Sequence, residues 1–256
     1  MAIDRIAALL ETCGTGNSHF PATDLFNEGW MLRLVLDCLS QNPGIEHDLG
    51  FVAGDEWYSE ALLPSAFQAR YRGDKLSENW THADGVIGDF VIGANRAGDL
   101  TLKADATRIM VTEAKMFSKL SKGVTNAGYY NQAARNIACI AEVVCRAQIP
   151  VEEFTDIGFF VLAPESQIRQ NVFAEHMTKQ SIEANVRQRV AAYEEKTKEA
   201  WLTEWFVPVL EKLQLREISW EEIVELIQRL DPASGSLVDD FYRKCLEFNR
   251  FVANRS

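Results

Sequence analysis

The stretch RIMVTEAKMFSKLS, residues 108–121, decides the fold. Ile109, Met110, Val111 and Thr112 make an apolar, β-favouring run that predicts a strand. The run passes directly into Glu113, Ala114 and Lys115. Residues two apart on a strand point the same way, so the Glu113 carboxylate and the Lys115 ammonium project together. A surface ion pair on a sheet would sit among alternating polar neighbours. Here the neighbours are apolar, and charge among them is costly unless it is partnered. The pair therefore reads as a half-buried site.

Upstream, THADGVIGDFVI (81–92) predicts a strand, NRAGD (95–99) a turn, and LTLKA (100–104) a strand leading back to residue 108. If the hairpin turns near Ala97, Asp84 falls roughly opposite Met110, and one or two residues of bulge bring it beside Glu113. Asp89 is the competing carboxylate. The same hairpin puts it opposite about residue 105, facing away from Asp84. A second carboxylate matters because hard divalent cations take oxygen ligands. A lysine beside them can steer a water or neutralise charge developing on phosphate.

The flanking segments supply helices. DLFNEGWMLRLVLDCLSQ (24–41) predicts a helix capped by Asp24 or Asn27 and stopped by the NPG at 42–44. Glu28 shares the inward stripe of Leu32, Val35 and Leu39; it is either aimed at a core partner or held by the helix dipole. Residues 45–80 are rich in turn formers, with Trp57, Tyr58 and Trp80 as packing anchors. Residues 125–148 predict a buried helix ended by Pro150, and FTDIGFFVLAP (154–164) a central strand. Residues 166–213 carry the pattern of long, heavily charged helices. Ser219 and Glu222 stand at capping-box spacing, DPASG (231–235) reads as a turn, and a last helix runs to about Val252. The expected organisation is a core at 1–165 with a helical extension, 166–256, packed on it.

Bulk properties narrow the class. The 256 residues are 47% hydrophobic and 25% charged, an ordinary globular composition. No apolar run approaches the roughly 20 residues that span a bilayer. The first residues, MAIDRIAALLETCG, lack the basic and apolar regions of an export signal. The five cysteines form no CxxC and no zinc spacing, so reduced thiols and a cytoplasmic location are expected. Net charge is -11, yet from Lys103 to Arg146 seven Lys/Arg face three acids. Such a local positive island can hold a phosphate backbone. GxSxG, GxxxxGK[ST], GxGxxG and HExxH are absent. The four histidines show no paired spacing; His82 either borders the Asp84 site or merely packs.

The ordered set HADGVI (82–87) and VTEAK (111–115) resembles the PD-(D/E)XK nuclease superfamily, over about residues 24–164. That resemblance implies an α/β, restriction-endonuclease-like αβββαβ core, with a mixed central sheet flanked by helices. It implies Asp84 and Glu113 as ligands of Mg²⁺, with Mn²⁺ able to substitute, and Lys115 as the catalytic lysine. Ala83 stands where the family signature has proline. The interval from Asp84 to Glu113 is longer than usual, which keeps Asp89 as the alternative ligand. Many members carry a Glu in the preceding helix, matching Glu28. The RecB-like branch carries a Gln in the following helix, matching Gln132. Arg135 is then a candidate either for nucleic-acid contact or for a structural ion pair, and Lys119, with Ser118, Ser121 and Lys122 in the short linker after the motif, either touches a nucleic-acid backbone or belongs to a solvated loop. The implied activity is metal-dependent phosphodiester hydrolysis, of DNA before RNA, with a restriction or defence setting by the same association. The alternative is a non-cleaving nucleic-acid- or protein-binding module of the same fold. A homodimer or protein contact through the C-terminal helices is the expected further partner.

Overall fold

The computed structural model describes the whole chain except residues 124–126, 194, 196 and 254–256, and the side chains of 251–253. Helix α1 (Ala2–Glu11) has no buried residue, whereas α2 (Glu28–Ser40) buries Met31, Leu32, Val35, Leu36 and Leu39. Of the two candidate caps, Asn27 is the one used: its side chain accepts from Trp30 N–H.

Strands β1 (Glu56–Leu63), β2 (Thr81–Gly88), β3 (Phe90–Ile92), β4 (Leu100–Leu102) and β5 (Arg108–Ala114) follow. Next come α3 (Gln132–Ala147), β6 (Asp156–Ala163), the short α4 (Glu165–Arg169), and α5 (Lys179–Tyr193). The chain closes with α6 (Thr197–Trp201), a π-helical turn, α7 (Val207–Lys212), β7 (Gln214–Ser219), α8 (Trp220–Leu230) and α9 (Pro232–Ala253). The main sheet has the order β1-β2-β5-β6-β7. Its β1–β2 and β2–β5 pairs are antiparallel, while β5–β6 and β6–β7 are parallel. The chain is thus α/β, with a mixed five-stranded sheet flanked by helices.

Strand alternation divides the core between the two faces. Ile109 and Val111 of β5, with Phe159 and Val161 of β6, pack with α3, α5 and α7. Met110 and Ala114, with Phe160 and Leu162, pack with α2, α8 and α9. Glu113 shares the parity of Val111 and so faces α3. Gly85 brings α2 down onto the sheet: a Cβ there would meet Thr112 Oγ1 at 2.5 Å and the Leu32 and Leu36 methyls at 3.0 Å. No described helix is long and apolar enough to cross a membrane.

Several expectations are corrected. The turn-rich reading of 45–80 missed β1, in which Tyr58 is partly exposed rather than a packing anchor. The expected strand 81–92 breaks at Gly88, and its second half pairs with β4 in a separate two-stranded sheet. The expected start of the third helix at 125 lies outside the described residues; the helix begins at Gln132, capped by Asn131 Oδ1, which accepts from Ala134 N–H at 2.9 Å. The turn expected at 231–235 is the start of α9, where Asp231 accepts from Ala233 N–H and Pro232 occupies the first helical position. The extension 166–256 is not purely helical, because β7 adds a strand to the main sheet. Both core clusters draw side chains from before and after residue 165. Ser219 does cap α8 as its spacing implied, accepting from Glu222 N–H.

Candidate active site

The register between β2 and β5 sets the site. A single hairpin turning near Ala97 would put Asp84 opposite Met110, but the observed pairs are Gly85↔Thr112 and Gly88↔Ile109. In β3–β4 the pair is Phe90↔Leu102. The difference is taken up by Lys103–Thr107, which leave the ladder in a turn closed by Ala106 N–H donating to Lys103 O. Asp89 holds that excursion. Its Oδ2 accepts from Thr107 N–H at 2.9 Å and from Arg108 N–H at 3.1 Å. Asp89, the alternative metal ligand from the sequence, is therefore a backbone clamp at the other end of the ladder and does not line the site.

With that register Asp84 arrives beside Glu113. Its Oδ2 accepts from Ala114 N–H at 2.8 Å, continuing the ladder with a side chain. Glu113 is 1% exposed. Lys115 Nζ donates to its Oε1 at 2.6 Å, and Gln132 Nε2 donates to the same oxygen at 2.5 Å. Asn136 Nδ2 donates to Oε2 at 3.1 Å. Gln132 is itself held, since its Oε1 accepts from Ser121 N–H at 3.0 Å. Lys115 is anchored through its backbone: its N–H donates to Leu162 O, and its carbonyl accepts from Trp220 Nε1. Trp220 and β6 thus fix the strand end on which the ammonium sits.

These side chains open on a pocket of about 540 Å³ lined by Glu28, Arg33, Glu60, Asp84, Glu113, Lys115 and Gln132, among others. Glu28 opens α2, half-buried at the pocket wall rather than within the core with Leu32 and Val35. Glu60 lies on β1 opposite Asp84 with a left-handed φ of 61°, a conformation that costs energy in a non-glycine residue. Arg33 and His82 lie near Glu60, at 3.7 and 3.8 Å. Lys119 is exposed in the linker and does not line the pocket. Arg135 also lies off the pocket; its charge acts on Tyr130 and Cys139, and its Nε is buried without a hydrogen-bond partner.

Sequence reasoning missed three contributors. Asn136 is fully buried on α3, four residues after Gln132 and therefore on the same helix face. The Gln-x-x-x-Asn spacing could have revealed it. Arg33 lies on the helix already suspected through Glu28, five residues further on. Glu60 sat in a segment where no strand had been read.

The pocket holds four carboxylates against Arg33 and Lys115. Burial first, then the neighbouring Asp84 charge, pushes the Glu113 carboxyl up from its ordinary range to about 7, with Lys115 pulling the other way. Two carboxylates this close ionise together only with positive charge beside them, which Lys115 supplies in part. That chemistry suits a hard divalent ion, which Asp84 and Glu113 would hold. Among the described residues no group of three or more His, Cys, Asp or Glu side chains is placed to hold a metal unaided. Mg²⁺ in particular commonly uses one or two carboxylates and fills its remaining positions with water and substrate phosphate.

The raised Glu113 carboxyl has a consequence for stability. The metal-free folded chain binds this proton more tightly than the unfolded chain does, between the ordinary glutamate range and about pH 7. Folding stability contributed by the group is present below that window and lost as pH rises through it. Urea unfolding in EDTA is expected to show wild type losing on the order of 2 kcal/mol more than Glu113→Gln between pH 5 and pH 8. Parallel pH dependences of the two proteins would contradict the assignment.

No protein-family model, no curated protein and no solved structure matches this chain.

Proposed function

We propose that the chain is a metal-dependent nuclease of the PD-(D/E)XK type. The observation that carries this reading is the convergence of Asp84, Glu113, Lys115 and Gln132 on one pocket, from two strands and the helix that follows them. The order helix, three antiparallel strands, helix, parallel strand (α2, β1, β2, β5, α3, β6) supports it.

A bound divalent ion would supply Lewis-acid polarisation of the phosphoryl oxygen and a more acidic water. Asp84 and Glu113 would hold the ion. Gln132 and Asn136 keep the Glu113 carboxylate in one orientation by donating to opposite oxygens. Lys115 carries a positive charge at the pocket floor, where it stabilises the oxygens of the phosphoryl group as water attacks phosphorus. The bond from phosphorus to one sugar oxygen breaks as the bond to the water oxygen forms, with the water's proton passing to solvent and the departing sugar oxygen taking one up from solvent. Because Lys115 already donates to Glu113, its ammonium is oriented before substrate arrives, which lowers the reorganisation needed during reaction.

Plasmid, single-stranded DNA and RNA incubated with the protein in Mg²⁺, Mn²⁺ or EDTA test this. Cutting that requires the metal and stops in EDTA supports the enzyme. Binding without cutting in any metal replaces it with a non-cleaving module of the same architecture. DNA as the preferred substrate, and a restriction or defence setting, rest on the family resemblance alone.

A further inference from the structure

Trp30 follows Glu28 and Gly29, both of which line the pocket. It is 42% exposed. Its backbone N–H donates to Asn27 Oδ1 at 3.0 Å, and the Arg33 guanidinium lies 5.0 Å from its ring centroid. Arg33 itself lines the pocket. Arg33 meets Glu60 Oε1 at a long 3.7 Å, with the two side chains 31% and 48% exposed. A guanidinium can keep its face on a ring while its edge N–H groups donate to phosphate. An exposed indole is a platform for a nucleobase of any identity, provided that the base is not already stacked in a duplex. Trp80, by contrast, already has two guanidiniums against it, those of Arg96 at 5.1 Å and Arg146 at 5.7 Å.

We infer that Trp30 and Arg33 form a clamp for single-stranded nucleic acid at the mouth of the pocket. Arg33 exchanges its Glu60 contact for a backbone phosphate next to the one being cut, and Trp30 stacks the adjoining unpaired base. This rests on the nuclease reading and narrows its substrate to unpaired strands, including frayed ends and flaps.

The test is fluorescence anisotropy of labelled single-stranded and duplex oligonucleotides with the full chain in EDTA, together with cutting assays in Mg²⁺. Trp30→Ala is expected to weaken single-strand binding about 5- to 100-fold, the equivalent of one lost base stack. Duplex binding should change less than about twofold, Trp30→Phe should retain most of the affinity, and Tyr71→Ala, at an exposed ring outside the pocket, should change neither. If Trp30→Ala binds single strands as wild type does, or weakens both forms equally, the clamp is wrong. In that case a wild type that still cuts leaves the nuclease reading standing. A wild type that neither binds nor cuts any nucleic acid overturns both.

Discussion

Replacing Lys115 with methionine is expected to slow metal-dependent strand cutting by about 10²–10⁴-fold, the range for loss of one positioned charge or proton-transfer group. Methionine keeps much of the aliphatic stem in a position only 9% exposed and removes the ammonium. The anchors of this strand end use the Lys115 backbone, so they survive the change. Gln132 and Asn136 still donate to Glu113. Circular dichroism and oligonucleotide binding in EDTA should therefore stay near wild type while the cutting rate falls. A variant that cuts within about threefold of wild type would remove Lys115 from the chemistry, since even a modest general acid–base contribution exceeds that. A variant that fails to fold would instead place the lysine in the structure of the site, and Lys115→Arg would then separate charge from packing.

The second large effect falls on stability, far from the pocket. Arg189 of α5 is 1% exposed, and its Nε donates to Glu78 Oε1 at 2.6 Å. Its guanidinium also bonds the carbonyl of Leu76 and lies 4.5 Å from the Phe67 ring centroid and 5.4 Å from that of Tyr193. Truncation to alanine leaves the Glu78 carboxylate, whose side chain is 6% exposed, without its cation and with Ser65 Oγ still donating to its other oxygen, and it removes the cation from an aromatic cage. Arg189→Ala should cost about 3–5 kcal/mol in urea unfolding, the range for breaking a buried pair from one side. Arg189→Lys should recover only part of that, because an ammonium cannot reproduce the planar fork. A loss below about 1 kcal/mol would mean that the pair is not buried in solution. The same experiment bears on how the chain is organised. Arg189 lies beyond residue 165 and Glu78 well before it, so wild type should unfold in one transition rather than two.

Much of the fold was legible where the signal is local. β6 is a continuous apolar run and β5 carries one at its centre, both buried on both faces, and the caps Asn27 and Ser219 carry their own hydrogen-bond logic. β1 was not legible. EWYSEALL alternates exposed and half-buried positions at its first half, carries two glutamates, and bends through the left-handed Glu60. β7, QLREIS, falls in the short interval between the charged helices expected to end at 213 and the helix opening at Ser219, and only its last two residues are buried. Asp231 and Pro232 read equally as a turn, because a helix cap and a first-turn proline use the same residue types that turns do.

The site was half legible for a related reason. Glu113 and Lys115 share a strand face, so their pairing follows from period two alone. That Asp84 and not Asp89 joins them depends on the excursion at Lys103–Thr107, and the excursion depends on what Asp89 itself binds. Those are tertiary contacts, and no periodicity encodes them. Gln132 was legible through the family resemblance, whereas Asn136 needed the helix phase that its Glu113 contact now supplies.

The most direct measurement is X-ray diffraction from crystals soaked in Mn²⁺, collected at the manganese absorption edge. Anomalous density between the Asp84 and Glu113 carboxylates, lost in Asp84→Ala crystals, is the expected result. Density only elsewhere, or none at this pair at Mn²⁺ concentrations that saturate any activity, would contradict a metal-dependent nuclease centred on these residues.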